Sequence, residues 1–290
     1  MNSGPLLFLG ILASIGCSFW ALLFAPQLQL GSQQPVVIES TGELYPAARP
    51  GVAQQGAEVY RSLGCVECHS QQVRQSGVSF ELWLAEAGTN KAELSPALSA
   101  LLGAEAVKLA DQAPVRLTQG LTLLKAQRMA GQLTNGGARA QAVLANLGPD
   151  IERGWGKRLT VSQDFLRDYP VQLGNLRVGP DLANYGRRFP GAALALAHLY
   201  APQMMAEKTT GQKGSMMPPY RFLFDKRKLA EGEKPGLLDL EPGYEVTPKP
   251  EAEALVAYLN SLRADAPLAE APVPAPPQPS TPAAVPAPVK

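Results

Sequence analysis

The sequence CVECH at residues 65–69 determines how the rest of the chain is interpreted. Its spacing, C-x-x-C-H, is that of a c-type haem attachment site, where Cys65 and Cys68 bind the porphyrin covalently. The adjacent His69 then becomes the proximal ligand of the iron. A thioredoxin-like thiol pair and half of a zinc site are the alternatives, but zinc needs two further soft ligands. The only other cysteine, Cys17, lies in an apolar run, so the sequence predicts one covalently attached haem c.

The charge balance argues against nucleic acids and other polyanions as partners. The chain has 26 basic and 25 acidic residues, a formal net charge of +1. Nucleic-acid-binding domains carry a marked basic excess, so the composition predicts neither a nucleic-acid nor a polyanionic partner.

An uncharged segment, LLFLGILASIGCSFWALLFA, lies between Pro5 and Pro26. Its length matches the roughly 20 residues that span a bilayer as a helix. A cleaved signal peptide normally opens with a basic region, and no Lys or Arg precedes Arg49, so the sequence favours a retained anchor over residues 1–26. Bacterial c-type haem is attached outside the cytoplasmic membrane. We therefore expect a single pass through the bacterial inner membrane, with the C-terminal domain in the periplasm.

The second axial ligand is expected from the loop GSMMPPY at residues 214–220, which offers two methionines next to two prolines. A thioether ligand raises the reduction potential, and proline stiffens the loop that holds it. The competitor is His198, the only histidine besides His69. It lies in an apolar helical stretch, where a lone histidine is more often a hydrogen-bonded packing residue.

Three features resemble class I cytochromes c. The segment GPDL at 179–182 resembles their G-P-x-L segment, which implies that the Pro180 carbonyl accepts a hydrogen bond from the proximal imidazole. Helical patterns cover 51–64 and 251–263. In that class, helices at these positions cross where a small residue packs against an aromatic one, and the corresponding residues here are Gly56, Tyr60 and Tyr258.

Several blocks in order resemble subunit II of cbb3-type cytochrome c oxidase, a membrane-anchored monohaem cytochrome c. They are CVECHSQQVR (65–74), ERGWGK (152–157), RVGPDLAN (177–184), HLYAP (198–202) and MPPYRFLF (217–224). The resemblance implies that Met217, directly before the proline, is the axial ligand opposite His69. It also implies a haem–copper oxidase catalytic subunit and a further cytochrome c subunit as partners. No residue of this chain looks able to activate oxygen, so we expect an electron-transfer subunit without its own catalytic site.

Four arginines are candidates for binding the haem propionates, because a guanidinium fork matches a carboxylate. Arg74 and Arg177 are favoured over Arg187 and Arg221 because they lie nearest the haem motifs.

Residues 79–147 depart from the family pattern. Helical periodicity over 96–110 and 122–133, with strand patterns at 80–84, 115–117 and 140–144, predicts the order β-α-α-β-α-β. Stretches such as AEAGTNK resemble the C-terminal domain of the bacterial ribosomal stalk protein, a small α/β docking module. This insert lacks paired carboxylates and metal-ligand motifs, so a structural or partner-docking role is expected.

The predicted fold is therefore mainly α: a transmembrane helix and a class I cytochrome c domain interrupted by a small α/β insert. The expected segments are an anchor (1–26), a tether (27–50), a cytochrome domain (51–78 and 148–263), the insert (79–147) and a disordered Pro/Ala tail (264–290). Two other functions fit the same motifs. One is a free-standing membrane-tethered electron shuttle, and the other is a haem-based sensor in which the methionine bond breaks.

Overall fold

The computed structural model describes residues 3–89, 91–210 and 214–277. It divides into two compact units, which we call the first unit (Met1–Gln72 and Thr160–Ala266) and the second unit (Val73–Leu159 and Pro267–Lys290). Helix accounts for 43% and strand for 15%, so the chain is mixed α/β and not clearly mainly α as expected. The difference arises because strands form in both units.

The first unit begins with a long apolar helix. Helix Gly4–Phe19 continues through a π-helical turn, Trp20–Phe24, into helix Ala25–Leu30. The wide turn ends just before Pro26, whose missing N–H and bulky ring disturb the regular hydrogen-bond ladder. An 18-residue stretch within the 26-residue span Gly4–Gln29 has a mean hydropathy of 2.2, and none of that stretch is buried within the protein. By length and composition this helix suits a membrane span, although a signal sequence near the N-terminus has the same properties.

The segment 27–50, expected to be a tether, contains a short hairpin. Strands Val36–Val37 and Leu44–Tyr45 pair antiparallel. Hydrogen bonds from the hairpin and from the residues just before it connect this segment to residues 162–164. The Gln163 amide donates to the Gln34 carbonyl (2.6 Å), and the Tyr45 hydroxyl donates to Asp164 (2.5 Å).

The core of the first unit is built on two crossing helices, Gly51–Ser62 and Pro250–Ser261, which confirm the two predicted helices. They approach closely at Gly56, and the buried rings of Tyr60 and Tyr258 pack beside the crossing with centroids 5.3 Å apart. The first unit also contains shorter elements: the 3-10 turns Cys65–Glu67, Ser162–Phe165 and Arg221–Leu223, the helices Tyr185–Arg188, Ala192–Tyr200 and Pro202–Thr210, and the antiparallel strands Phe224–Lys228 and Tyr244–Pro248.

The second unit contains a three-stranded antiparallel sheet whose central strand is Gly77–Glu86. Its elements follow the order that the sequence predicts: strand Gly77–Glu86, helices Lys91–Leu102 and Glu105–Leu109, a 3-10 turn Ala110–Gln112, strand Val115–Leu121, helix Leu123–Asn135 and strand Arg139–Leu147, followed by helix Pro149–Glu152. The single periodic run 96–110 is divided at Gly103, whose φ of +89° ends the first helix. Leu82, Leu84, Leu98 and Leu133 are fully buried and form the core between sheet and helices.

The two ends of the predicted insert lie together. Gly77 pairs with Leu147 in the sheet, and the Ser76 N–H donates to the Leu147 carbonyl at 2.8 Å. The second unit extends beyond the expected insert on both sides and includes the start of the Pro/Ala segment. There Ala271 is buried, and the Asn146 amide donates to the Pro272 carbonyl at 3.0 Å. The remainder of the predicted tail, 278–290, lies outside the described residues.

Candidate functional site

The C-x-x-C-H motif forms a tight turn directly after helix Gly51–Ser62. Gly64 has a φ of +69°, a conformation that favours glycine, and it reverses the chain at the helix end. The 3-10 turn Cys65–Glu67 follows, and the His69 N–H donates to the Cys65 carbonyl at 3.0 Å. Both cysteines carry free thiols; Cys65 is half-buried and Cys68 is exposed. The turn thus brings two thiols and one imidazole onto a single loop.

The His69 ring is held by the segment that precedes Leu182. Its Nδ1 lies 2.8 Å from the Pro180 carbonyl oxygen, the contact that the G-P-x-L resemblance implies. Gly179 lies against the ring, because a Cβ at that position would come within 2.3 Å of Cε1. The carbonyl acceptor fixes Nδ1 as the protonated nitrogen and leaves Nε2 as the basic one. Burial lowers the pKa of His69, so the neutral, ligand-competent imidazole is favoured.

A buried carboxylate connects the same two segments. Asp181 is fully buried, and its Oδ2 accepts hydrogen bonds from the Ser70 hydroxyl (2.6 Å) and the Gln72 N–H (2.7 Å). Its Oδ1 accepts from the Ala183 N–H at 2.9 Å. Backbone bonds flank this carboxylate, since the Leu182 N–H donates to the Ser70 carbonyl at 2.8 Å. Residues 68–72 and 179–183 are therefore joined by both main-chain and side-chain contacts.

The methionine loop reaches the first cysteine through Tyr220. The Tyr220 hydroxyl is hydrogen-bonded to the Cys65 sulfur, and the Tyr220 N–H donates to the Leu199 carbonyl at 2.8 Å. Burial raises the pKa of the Cys65 thiol to about 11. Met217 is half-buried and packs on the same core cluster as Cys65 and Tyr220. Met217 and Cys65 thus both pack against this cluster.

The competing ligands differ from Met217 in their surroundings. Met216 is 79% exposed and does not belong to the core cluster. His198 is half-buried on helix Ala192–Tyr200 and hydrogen-bonds to the backbone of Leu194, one turn earlier. Its ring therefore has a local partner, as expected for a packing residue.

The four candidate propionate arginines have different partners. Arg177 is largely buried; it donates to the Gln72 carbonyl and lies 3.9 Å from Asp181 Oδ2. Arg74 belongs to the second unit, where its N–H donates to Asp150 at 2.8 Å. Arg187 pairs with Asp265 at 3.2 Å, and the Arg221 guanidinium lies over the Tyr200 ring.

Two residues of the site were not predicted from the sequence. One is Asp181, whose signal was an acidic residue within the otherwise apolar segment G-P-D-L-A, which requires partners when buried. The other is Arg188, which donates to the Asp181 carbonyl and whose shielded Nε has no hydrogen-bond partner among the described residues. Burial lowers the pKa of Arg188. A guanidinium N–H held in this way is available to a further acceptor.

Comparison of the chain with protein-family models and with curated proteins returned no match. The interpretation of the site therefore depends on its own residues and geometry.

Proposed function

We propose that this chain is a c-type cytochrome with one haem attached to Cys65 and Cys68 and with His69 and Met217 as axial ligands. The observation that supports it most is the pair of contacts made by the C-x-x-C-H loop. His69 Nδ1 is hydrogen-bonded to the Pro180 carbonyl, and Cys65 is hydrogen-bonded to Tyr220 in the methionine loop. The four side chains that a His/Met haem c site uses, two thiols, an imidazole and a thioether, thereby belong to the first unit.

The residues present fit that cofactor. Cys65 and Cys68 are free thiols in the described part of the chain, as thioether formation requires. The imidazole keeps Nε2 for a metal because Nδ1 is already engaged. Arg177 and Arg188 lie beside the Asp181 segment, and guanidinium groups match carboxylates such as propionates.

The protein's own residues account for how such a site transfers electrons. Haem supplies a single iron-centred redox couple when bound. The Pro180 carbonyl orients His69 and strengthens its donation, while Pro218 and Pro219 stiffen the loop that holds the Met217 thioether. His69 and Met217, held in this way, would bind the iron with little rearrangement between its two oxidation states, which would favour rapid electron exchange over ligand binding.

More specifically, we propose that the chain belongs to the family of subunit II of cbb3-type cytochrome c oxidases. Support comes from the ordered blocks described above and from the Gly56–Tyr258 helix crossing, which is the arrangement expected of a class I cytochrome. In this proposal the helix Gly4–Gln29 anchors the protein in the bacterial inner membrane. A further cytochrome c subunit, or a periplasmic donor, passes one electron to the chain, which relays it to a haem–copper catalytic subunit.

The first experiment tests haem attachment. The full chain is expressed with a haem c attachment system, and covalent haem is measured by staining of denaturing gels. Cys65→Ala and Cys68→Ala are each expected to reduce the stain severely, whereas Cys17→Ala, a matched thiol on the apolar helix, leaves it unchanged. Equal staining of all variants, or none in the wild-type chain, contradicts the proposal.

The second experiment tests the partners. The complex is purified in mild detergent and its subunits are identified. Co-purification of a many-helix haem–copper subunit supports the oxidase subunit, and a chain that purifies alone with an intact haem spectrum favours the electron shuttle.

A further inference from the structure

We propose that Asp181 is a positioning residue that fixes the His69 imidazole and lowers the reduction potential of the site. This inference deepens the proposed function and depends on it. Its basis is the place of Asp181 in the chain: the residue directly after Pro180 accepts hydrogen bonds from Ser70 and Gln72, the first and third residues after His69.

The first step of the argument is geometric. The hydrogen bond from His69 to Pro180 joins two segments that are 111 positions apart. The Asp181 carboxylate spans the same two segments, because it accepts from Ser70 and Gln72 on one side and from Ala183 on the other. In all three contacts the partner is the donor and the carboxylate is the acceptor, which is the pattern of an ionised carboxylate. The carboxylate therefore keeps the His69 ring, which donates, and the Pro180 carbonyl, which accepts, in position for their hydrogen bond.

The second step is electrostatic. Asp181 is fully buried, so its negative charge is only weakly screened by solvent. The carboxylate accepts hydrogen bonds from Ser70 and Gln72, which follow His69 closely in the chain, so its negative charge stabilises positive charge at that site. A metal ligated by that ring gains positive charge on oxidation. The same carboxylate must therefore stabilise the oxidised form and lower the potential.

Two nearby arginines carry positive charge and offset the negative charge of Asp181 only in part. Arg177 Nη2 lies 3.9 Å from Oδ2, at the edge of ion-pair distance. Arg188 donates to the backbone carbonyl of Asp181, not to its carboxylate. Hydrogen-bond donors from the backbone and from Ser70 thus provide the closest contacts of the carboxylate.

The test compares Asp181→Asn with Asp164→Asn in the full haem-loaded chain. Asp164 is a matched control in the same unit, half-buried and bonded to Tyr45 and the Val161 N–H instead of to residues 69–72. The measurements are the midpoint potential and the hydrogen-exchange rate of the His69 Nδ1 proton by NMR. For Asp181→Asn we expect the midpoint potential to rise enough to increase the reduced-to-oxidised ratio at least about threefold at fixed potential. We also expect about tenfold faster exchange, with neither change in the control.

The outcomes separate this inference from the proposed function. A wild-type chain without covalent haem contradicts the proposed function. A haem-loaded Asp181→Asn protein with unchanged potential and exchange overturns the role of Asp181 alone. If that variant does not fold, Ser70→Ala replaces it, because it removes one donor while keeping the charge and both backbone contacts. Faster Nδ1 exchange in Ser70→Ala supports the proposal, and unchanged exchange overturns it.

Discussion

A Cβ atom on Gly56 would lie 1.8 Å from the carbonyl oxygen of Ala254. The two helices of the first unit can therefore cross at this distance only if residue 56 has no side chain. The Tyr60 and Tyr258 rings, each 1% exposed, pack next to this point. The close approach joins the helix that leads into the C-x-x-C-H turn to the helix that ends the unit.

Gly56→Ala is expected to destabilise the first unit by about 1–3 kcal/mol or more. The added Cβ would clash with the backbone of Ala254, and the clash can be relieved only by shifting one of the two helices. The measurement is the urea midpoint followed by circular dichroism. Gly51→Ala is the control, since a Cβ there meets nothing within 4 Å. Equal midpoints for the two variants contradict the tight crossing.

Met217→Ala is expected to abolish the weak sulfur-to-iron charge-transfer band of the ferric protein, which lies near the red edge of the visible spectrum. Met216→Ala should retain it, because that side chain is 79% exposed and outside the core cluster. His198→Ala should also retain it. Loss of the band in either control variant, with the band kept in Met217→Ala, reverses the ligand assignment.

Acid is expected to destabilise the haem-loaded protein through His198. Burial lowers the folded-state pKa of His198 below 6.5, so the unfolded chain takes up a proton first as the pH falls. The free energy of unfolding therefore decreases as the pH falls below about 6.5, until the lower folded-state pKa is passed. His198→Gln should flatten this dependence in urea titrations between pH 7.5 and 5. An unchanged slope shows that His198 titrates normally.

Replacement of Gly77–Leu147 by a short Gly/Ser linker is expected to preserve covalent haem and the His/Met spectrum. The Ser76 N–H and Leu147 carbonyl lie 2.8 Å apart, so a short linker bridges the gap without strain. The measurement is haem staining with the visible spectrum, and we expect weaker assembly with partner subunits. A stable, exported variant that lacks haem would show that the insert is needed to complete the site.

The mature protein is expected to keep its N-terminal helix and to resist alkaline carbonate extraction from membranes. The reason is the uncharged 26-residue helix Gly4–Gln29. N-terminal sequencing of the purified protein provides the check. A mature chain that begins at Cys17, or beyond Ala25, is the result that excludes a retained anchor.

The turn at the C-x-x-C-H motif is local, and the apolar helix, the two crossing helices and the strand and helix order of the second unit were predictable from sequence, because each depends on local spacing or periodicity. The hairpin Phe224–Lys228 with Tyr244–Pro248 was not, since four of the first strand's five residues are exposed and show no apolar alternation. The burial of Ala271 was missed for a related reason: Pro/Ala-rich sequence has no periodic face, yet this part of it packs within the second unit.

The sequence alone establishes which side chains are available for the proposed haem site: two thiols and an imidazole at fixed spacing, and a methionine before two prolines. Which distant segments of the chain come into contact depends on the tertiary structure. His69 and Pro180 are 111 positions apart, and Gln71 and Tyr258, whose side chains are hydrogen-bonded at 2.9 Å, are 187 apart. Such contacts depend on how helices and loops pack, which local patterns do not encode. Only packing could show that Asp181 is buried against residues 70–72, and burial is what turns an ordinary carboxylate into a fixed, weakly screened charge beside His69.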